Sequence, residues 1–180
     1  MFPDYLFTFG DYWTEAVEYP IPDEQIISVG YPYLEEEMKK YSEIDSKDQI
    51  AFVSQEMIGE GLSQFAVELA EYNAFDYDIV YKLHPGEYDR WKEAYPWLLD
   101  ADLEVVDGSG RELYRLFAES TAQIGVGSTA LYKGLASDLE TYIYDLPGSS
   151  VLQPLIDDGS ASLVTSVGEL VSSLDRKSVV

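Results

Sequence analysis

The feature that most constrains this chain is a regular alternation. From residue 49 onward, short apolar runs of strand length take turns with amphipathic stretches of helical spacing. Strands are expected at 49–54, 78–83, 103–106, 122–126, 141–144 and 161–164. Helices are expected at 60–73, 87–95, 111–120, 128–137, 150–157 and 167–174. In the first helix, Leu62, Phe65, Ala66, Leu69 and Ala70 fall on one face, as a period of 3.6 requires. The strand segments are short and apolar, as strands covered on both faces read. Repeated βα units of this length imply an α/β fold, a doubly wound Rossmann-like parallel sheet with helices on both faces. Right-handed crossovers favour six strands in the order 3-2-1-4-5-6, counted from residue 49. Ligands of such sheets sit at the carboxyl ends of the strands, where the order reverses. The loops to watch are therefore those after Ser54, Leu83 and Val126.

Residues 1–45 follow a different pattern, with short strands at 6–9 and 25–29 and helices at 11–18 and 34–41. They read as an extra layer or linker segment, and residues 46–180 as the Rossmann-like domain. The N-terminal Met1-Phe2-Pro3-Asp4 has no basic stretch before its apolar residues, unlike a signal peptide. No run approaches the ~18 apolar residues of a membrane helix, so an integral membrane segment is not expected. Without cysteine, the chain has no disulfide scaffold, cysteine nucleophile or thiolate zinc site.

Charge narrows the partners. Asp and Glu number 34 against 11 Lys and Arg, a net charge of −23 in 180 residues. Nucleic-acid binding needs clustered cations, so it is not expected. The acidic residues are spread along the whole chain, and molar salt, with a screening length of about 3 Å, removes most of their mutual repulsion. The composition fits a cytoplasmic protein of a high-salt cell.

Two segments carry candidate chemistry. In Lys82-Leu83-His84-Pro85-Gly86, strand alternation points Lys82 and His84 to one side, with His84 at the carboxyl end. The pair can grip a phosphate, and His84, the only histidine, can give a proton to a leaving group. Alternatively, His84 simply caps a strand end. In Ile124-Gly125-Val126-Gly127-Ser128-Thr129, a strand passes through a glycine turn into a helix start. The glycines permit close backbone approach, and Ser128 and Thr129 either add phosphate donors or serve as ordinary helix caps. Glu112 has two readings, a contact to ribose hydroxyls or an acidic residue stabilising a helix N-terminus. Ser54 and Gln55, after the first strand, have similar standing. The patterns Asp76/Asp78 and Asp100/Asp102 occur at the frequency expected by chance in so acidic a chain, so no metal site is assigned.

Taken together, Lys82-x-His84-Pro85, the later Gly125-x-Gly127-Ser128-Thr129-Ala130-Leu131-Tyr132 and Tyr142-Ile143-Tyr144-Asp145-Leu146-Pro147-Gly148 resemble the C-terminal half of GT-B-fold glycosyltransferases. The type is that of capsule polysaccharide and polysialic acid synthesis, with CDP-glycerol polymer transferases as relatives. The resemblance implies an HP motif and an S/T motif, with His84, Ser128 and Thr129 holding the phosphate of a nucleotide-activated donor. It implies a CMP-, CDP- or UDP-linked sugar or polyol as substrate, no metal or other cofactor, and Glu112 near the ribose. The stretches Phe9-Gly10-Asp11-Tyr12-Trp13 and Ser28-Val29-Gly30-Tyr31-Pro32 resemble the join between the two halves of such enzymes. Lys133 stands where relatives often carry a glutamate. A complete enzyme also has an acceptor domain, which 180 residues do not accommodate, so a partner chain is one expectation. A non-catalytic nucleotide- or partner-binding module, from a degenerate or split transferase, is the alternative. A sugar-nucleotide epimerase needs further acidic and basic groups between two domains and fits less well.

The charge makes the first prediction. Thermal unfolding should move to higher temperature between dilute buffer and molar KCl. Equal midpoints in the two would overturn the high-salt reading.

Overall fold

The sheet forms because its central strands are mainly apolar and are buried on both faces. The computed structural model describes residues 3–15, 17–72, 76–108 and 110–177. The chain divides into two compact units, Met1–Lys40 and Tyr41–Val180. In the first unit, β1 (Leu6–Thr8) pairs in parallel with β2 (Ile26–Ser28), and α1 (Asp11–Glu15) and α2 (Pro32–Lys40) are its helices. The expected helix 11–18 thus stops early; Ala16 lies outside the described residues, as do Met1 and Phe2.

The second unit runs β3 (Gln49–Val53), α3 (Gly59–Ala70), β4 (Asp78–Lys82), α4 (Trp91–Ala94), β5 (Glu104–Val106), α5 (Leu113–Glu119), β6 (Ala122–Gly125), α6 (Ala130–Leu135), β7 (Glu140–Tyr144), α7 (Gln153–Asp157), β8 (Ser162–Val164) and α8 (Val167–Lys177). The six-stranded sheet has the order β5-β4-β3-β6-β7-β8, all pairs parallel. This is the expected 3-2-1-4-5-6 doubly wound order. All five residues of β3 are buried, as a strand covered on both faces demands.

Strand alternation sends side chains into two apolar layers. Ile50, Phe52, Ile79, Tyr81 and Ile124 pack on one face with Leu62, Phe65 and Leu69 of α3 and Leu170 and Leu174 of α8. Ala51, Val53, Val80 and Ile143 pack on the other with Leu116 and Phe117 of α5, Leu131 of α6 and Leu155 of α7. Fully burying one such side chain contributes about 1.5–3 kcal/mol.

Two expected helices are broken up. The segment expected as helix 87–95 is a 3-10 turn at Pro85–Glu87, the single turn α4 and a second 3-10 turn at Pro96–Leu99. Glu87 is pulled inward and wholly buried, and Pro96 has no N–H to continue the ladder. Likewise 150–157 splits into a 3-10 turn, Ser149–Leu152, and α7, with Pro154 in the first turn of α7. The expected helix 60–73 runs Gly59–Ala70 instead, and Asn73 lies outside the described residues.

One glycine is fixed by packing. Gly134 of α6 faces the buried Gln123, whose Nε2 donates to the Leu131 carbonyl at 2.7 Å and to Thr141 Oγ1 at 2.8 Å. A Cβ at Gly134 would overlap the Gln123 amide. Alanine gains about 1 kcal/mol of helix propensity there, whereas overpacking a tied-down buried group costs about 1–3 kcal/mol. Gly134→Ala should therefore lower stability despite its better propensity, as chemical denaturation would measure; a gain in stability would refute this packing.

Candidate functional site

The order of strands decides where a ligand can enter. β3 and β6 lie side by side, yet the chain leaves them toward opposite edges of the sheet, so a gap opens at their carboxyl ends. A cleft of about 770 Å³ occupies this place. It is lined by Gln55, Glu56, Met57 and Ile58 after β3, by His84 after β4, by Val126, Gly127, Ser128 and Thr129 after β6, and by Pro147, Gly148 and Val151 after β7. The three loops singled out from sequence meet here.

Each part is positioned by local physics. His84 ends β4 because Pro85 cannot donate to the ladder, and its side chain is half exposed at 49%. Its Nδ1 accepts the Gly86 N–H at 3.2 Å. Glu56 Oε1 lies 3.5 Å from the same nitrogen, and Arg90 holds the other Glu56 oxygen at 3.4 Å. The Gly127 N–H donates to Gln55 Oε1 at 3.1 Å, tying the loops after β3 and β6 together. A Cβ on Gly127 would sit 2.8 Å from the Gly148 carbonyl, so only glycine lets the loops after β6 and β7 come this close. Gly148 itself has φ +104°, a left-handed conformation suited to glycine. Ser128 Oγ accepts the Ala130 N–H at 3.2 Å as a cap, while the Thr129 hydroxyl makes no capping bond and is exposed.

Below His84 lies a polar network that the sequence did not announce. Glu87 is 0% exposed. Its Oε2 accepts the His84 backbone N–H at 2.7 Å; its Oε1 accepts from Tyr95 OH at 2.8 Å and Ser54 Oγ at 3.1 Å. Tyr81 OH lies 3.0 Å from Ser54 Oγ and donates to the Gly59 carbonyl at 3.2 Å. Burial, reinforced by its bond to Glu87, pushes the Tyr95 phenol up to about 12, so it stays a donor. Burial raises Tyr81 still further. The available sequence signal was the spacing of His84 and Glu87, which matches a capping box with histidine in place of Ser or Thr. Glu56 carried no signal of its own.

Not every expected residue reaches the cleft. Gln55, His84, Gly127, Ser128 and Thr129 do. Lys82 does not: its Nζ donates to the Gly108 carbonyl at 2.7 Å and to Tyr88 OH at 3.1 Å, bracing the loop after β5. Strand alternation gave its side but not the carbonyl waiting there. Ser54 is buried beneath the cleft on Glu87. Glu112 does not line the cleft, and its carboxylate accepts from Tyr41 OH. Its neighbour Ser109 lies outside the described residues. Lys133 Nζ rests 5.4 Å over the Tyr114 ring and does not line the cleft.

A second concavity, about 500 Å³, runs beside β5. Its cations are already paired: Arg111 bonds Glu104 at 2.7 Å and also Glu119, and Arg115 bonds Glu119 at 2.8 Å. It has no charge left over for an anion. Among the described residues, no group of three or more His, Asp or Glu side chains is placed to hold a metal. Nor is any helix among them long and apolar enough to cross a membrane.

Comparison with solved structures fixes the fold. The wall teichoic acid polymerase TagF, in a variant soaked with CDPG, superposes with a TM-score of 0.56 at 16% identity, over 95% of this chain and 46% of that one. The UDP-GlcNAc 2-epimerase of Methanocaldococcus jannaschii, in complex with UDP-GlcNAc and UDP, gives 0.61 at 12% identity over 96% and 53%. The C-terminal domain of a glycosyl transferase group 1 family protein (LpcC) from Francisella tularensis gives 0.51 at 13% identity over 78% and 80%. The fold is that of one Rossmann-like half of a GT-B glycosyltransferase. The chain spans about half the length of the TagF and epimerase structures. No protein-family model matches the chain, and no curated protein matches it either.

Two substitutions test the geometry. Lys82→Ala should cost about 1.5–3 kcal/mol of stability, the usual worth of a hydrogen bond from a charged group. Gly59→Ala should cost about 1–3 kcal/mol by overpacking, because a Cβ there would overlap Tyr95 OH and Glu87 Oε1. Denaturant midpoints measure both; a neutral Gly59→Ala would refute the buried network.

Proposed function

We propose that this chain is a glycosyltransferase-like donor domain. Its cleft would bind a nucleotide-activated sugar or polyol, CMP-, CDP- or UDP-linked, for the synthesis of a surface polysaccharide in a high-salt cytoplasm. One observation carries the reading: His84, Gly127, Ser128 and Thr129 come from two separate strand ends and line one cleft at the switch point.

The chemistry is that of a leaving group. When the bond between sugar and phosphate oxygen breaks, the departing nucleotide gains negative charge. Fixed donors offset that charge best when they are held in place beforehand. His84 is the one side chain of the cleft that can deliver a proton near neutral pH. The Ser128 and Thr129 hydroxyls, at the turn into α6, supply further donors. Among the described residues no Lys or Arg side chain lines the cleft, so affinity would rest on neutral donors and on His84. The acceptor and its base would come from a partner chain or a further domain.

A second reading is a non-catalytic nucleotide- or partner-binding module. It is favoured by the cation-free cleft and by Lys133, which packs on Tyr114 where relatives often carry a glutamate. Turnover of a nucleotide sugar by the purified chain alone would exclude it.

Calorimetric titration of CMP, CDP and UDP in molar KCl tests the donor reading. At least one should bind. His84→Ala should weaken it about tenfold or more, the loss of one hydrogen bond to a charged group. If no nucleotide binds, or His84→Ala binds as well as wild type, the donor reading fails.

A further inference from the structure

We propose that Glu87 is a positioning residue that fixes the tautomer of His84, presenting a neutral imidazole with its proton on Nε2. This deepens the donor reading and rests on it for its use, but the tautomer itself is a property of the free protein.

Three bonds carry it. The buried Glu87 carboxylate takes the His84 backbone N–H at 2.7 Å, which folds Pro85–Glu87 into a 3-10 turn. That turn aims the Gly86 N–H at His84 Nδ1, 3.2 Å away. A ring nitrogen that accepts an N–H has its lone pair free, so the one proton of a neutral imidazole sits on the other nitrogen. The Glu56 carboxylate, 3.5 Å from Nδ1, pulls the other way and favours a proton there. Gly86 prevails for two reasons. Its N–H belongs to a backbone clamped from below, whereas Glu56 is a 47% exposed side chain that also pairs with Arg90. An exposed ion pair of this kind is weak and screened by salt.

The clamp is tied to the structure beneath the β3 and β4 ends of the cleft. Ser54, at the end of β3, and Tyr95, after α4, hold the second Glu87 oxygen. Glu87 cannot swing away without stranding three donors in the core. The consequence for the cleft is a donor that needs no positive charge: Nε2–H is available to a phosphoryl oxygen when His84 is neutral.

His84 is the only histidine, so nitrogen-15 NMR of the ring reads it without ambiguity. In free wild-type protein at alkaline pH and molar KCl, Nε2 should carry the proton and Nδ1 should not. A through-hydrogen-bond coupling should link Nδ1 to the Gly86 amide. Glu87→Gln keeps the shape and removes the charge; Glu87→Asp keeps the charge and shortens the reach. In the folded variants the Nδ1–H form should become detectable beside the Nε2–H form and the coupling should fade, while Glu56→Gln should leave the wild-type pattern intact. Protonated Nδ1 in the wild type, or an unchanged tautomer in either folded Glu87 variant, would overturn the proposal. So would loss of folding in both, since the carboxylate would then hold the fold and not the imidazole. Adding CDP afterwards separates the two ideas. If the Nε2 resonance never moves, the donor reading suffers while the tautomer assignment stands.

Discussion

The pairing of β3 with β6 is the constraint on which the rest of this molecule depends. Ile50 faces Ala122, Ala51 faces Gln123 and Phe52 faces Ile124 across a parallel ladder. Both strands are buried on both faces, so the ladder must be complete and the helices must cover it from either side. Helices α3, α4 and α8 contribute to one layer and α5, α6 and α7 to the other. Because the chain runs outward from this pair in opposite directions, no crossover closes the gap above it. The cleft is a topological consequence, present before any side chain is chosen for chemistry.

What fills the rim of that gap is a contest between polar groups for partners. A buried carboxylate is costly unless it is hydrogen-bonded. Glu87 meets this demand with His84 N–H, Ser54 and Tyr95, and in doing so it ties the ends of β3 and β4 to the turn below His84. Gly59 is small because the same network occupies the space where its Cβ would go. Gly127 is small because Gly148 approaches from the next loop. The cleft is thus shaped by interactions that do not touch its contents.

The −23 charge belongs to a different part of the molecule. Inside the cleft the only formal charges of the described residues are Glu56 and whatever proton His84 carries. The basic side chains near the site have other partners: Lys82 a carbonyl and Arg90 Glu56. The polar groups that the cleft presents are therefore mostly neutral N–H and O–H donors, which high salt screens less than it screens charges.

Strand number, strand order, the two-faced burial and the loops of the cleft were all legible in the sequence. They are written in hydrophobic period, which is local and survives any detail of packing. His84, Gly127, Ser128 and Thr129 could be placed at strand ends for the same reason. The fate of Lys82, Glu112 and Ser54 could not, and neither could the roles of Glu56 and Glu87. Each depends on a partner brought close only by the fold, as Ser54 is to Glu87 across 33 positions and Tyr41 to Glu112 across 71. The helix expected at 87–95 failed on the same ground. There the buried Glu87 closes a 3-10 turn under His84 in place of a regular helical start. The sequence by itself determined the sheet and the loops that border the cleft. Only the tertiary structure decided which side chains line that cleft, because a polar group takes its place from the donors and acceptors it meets, and those come from distant parts of the chain.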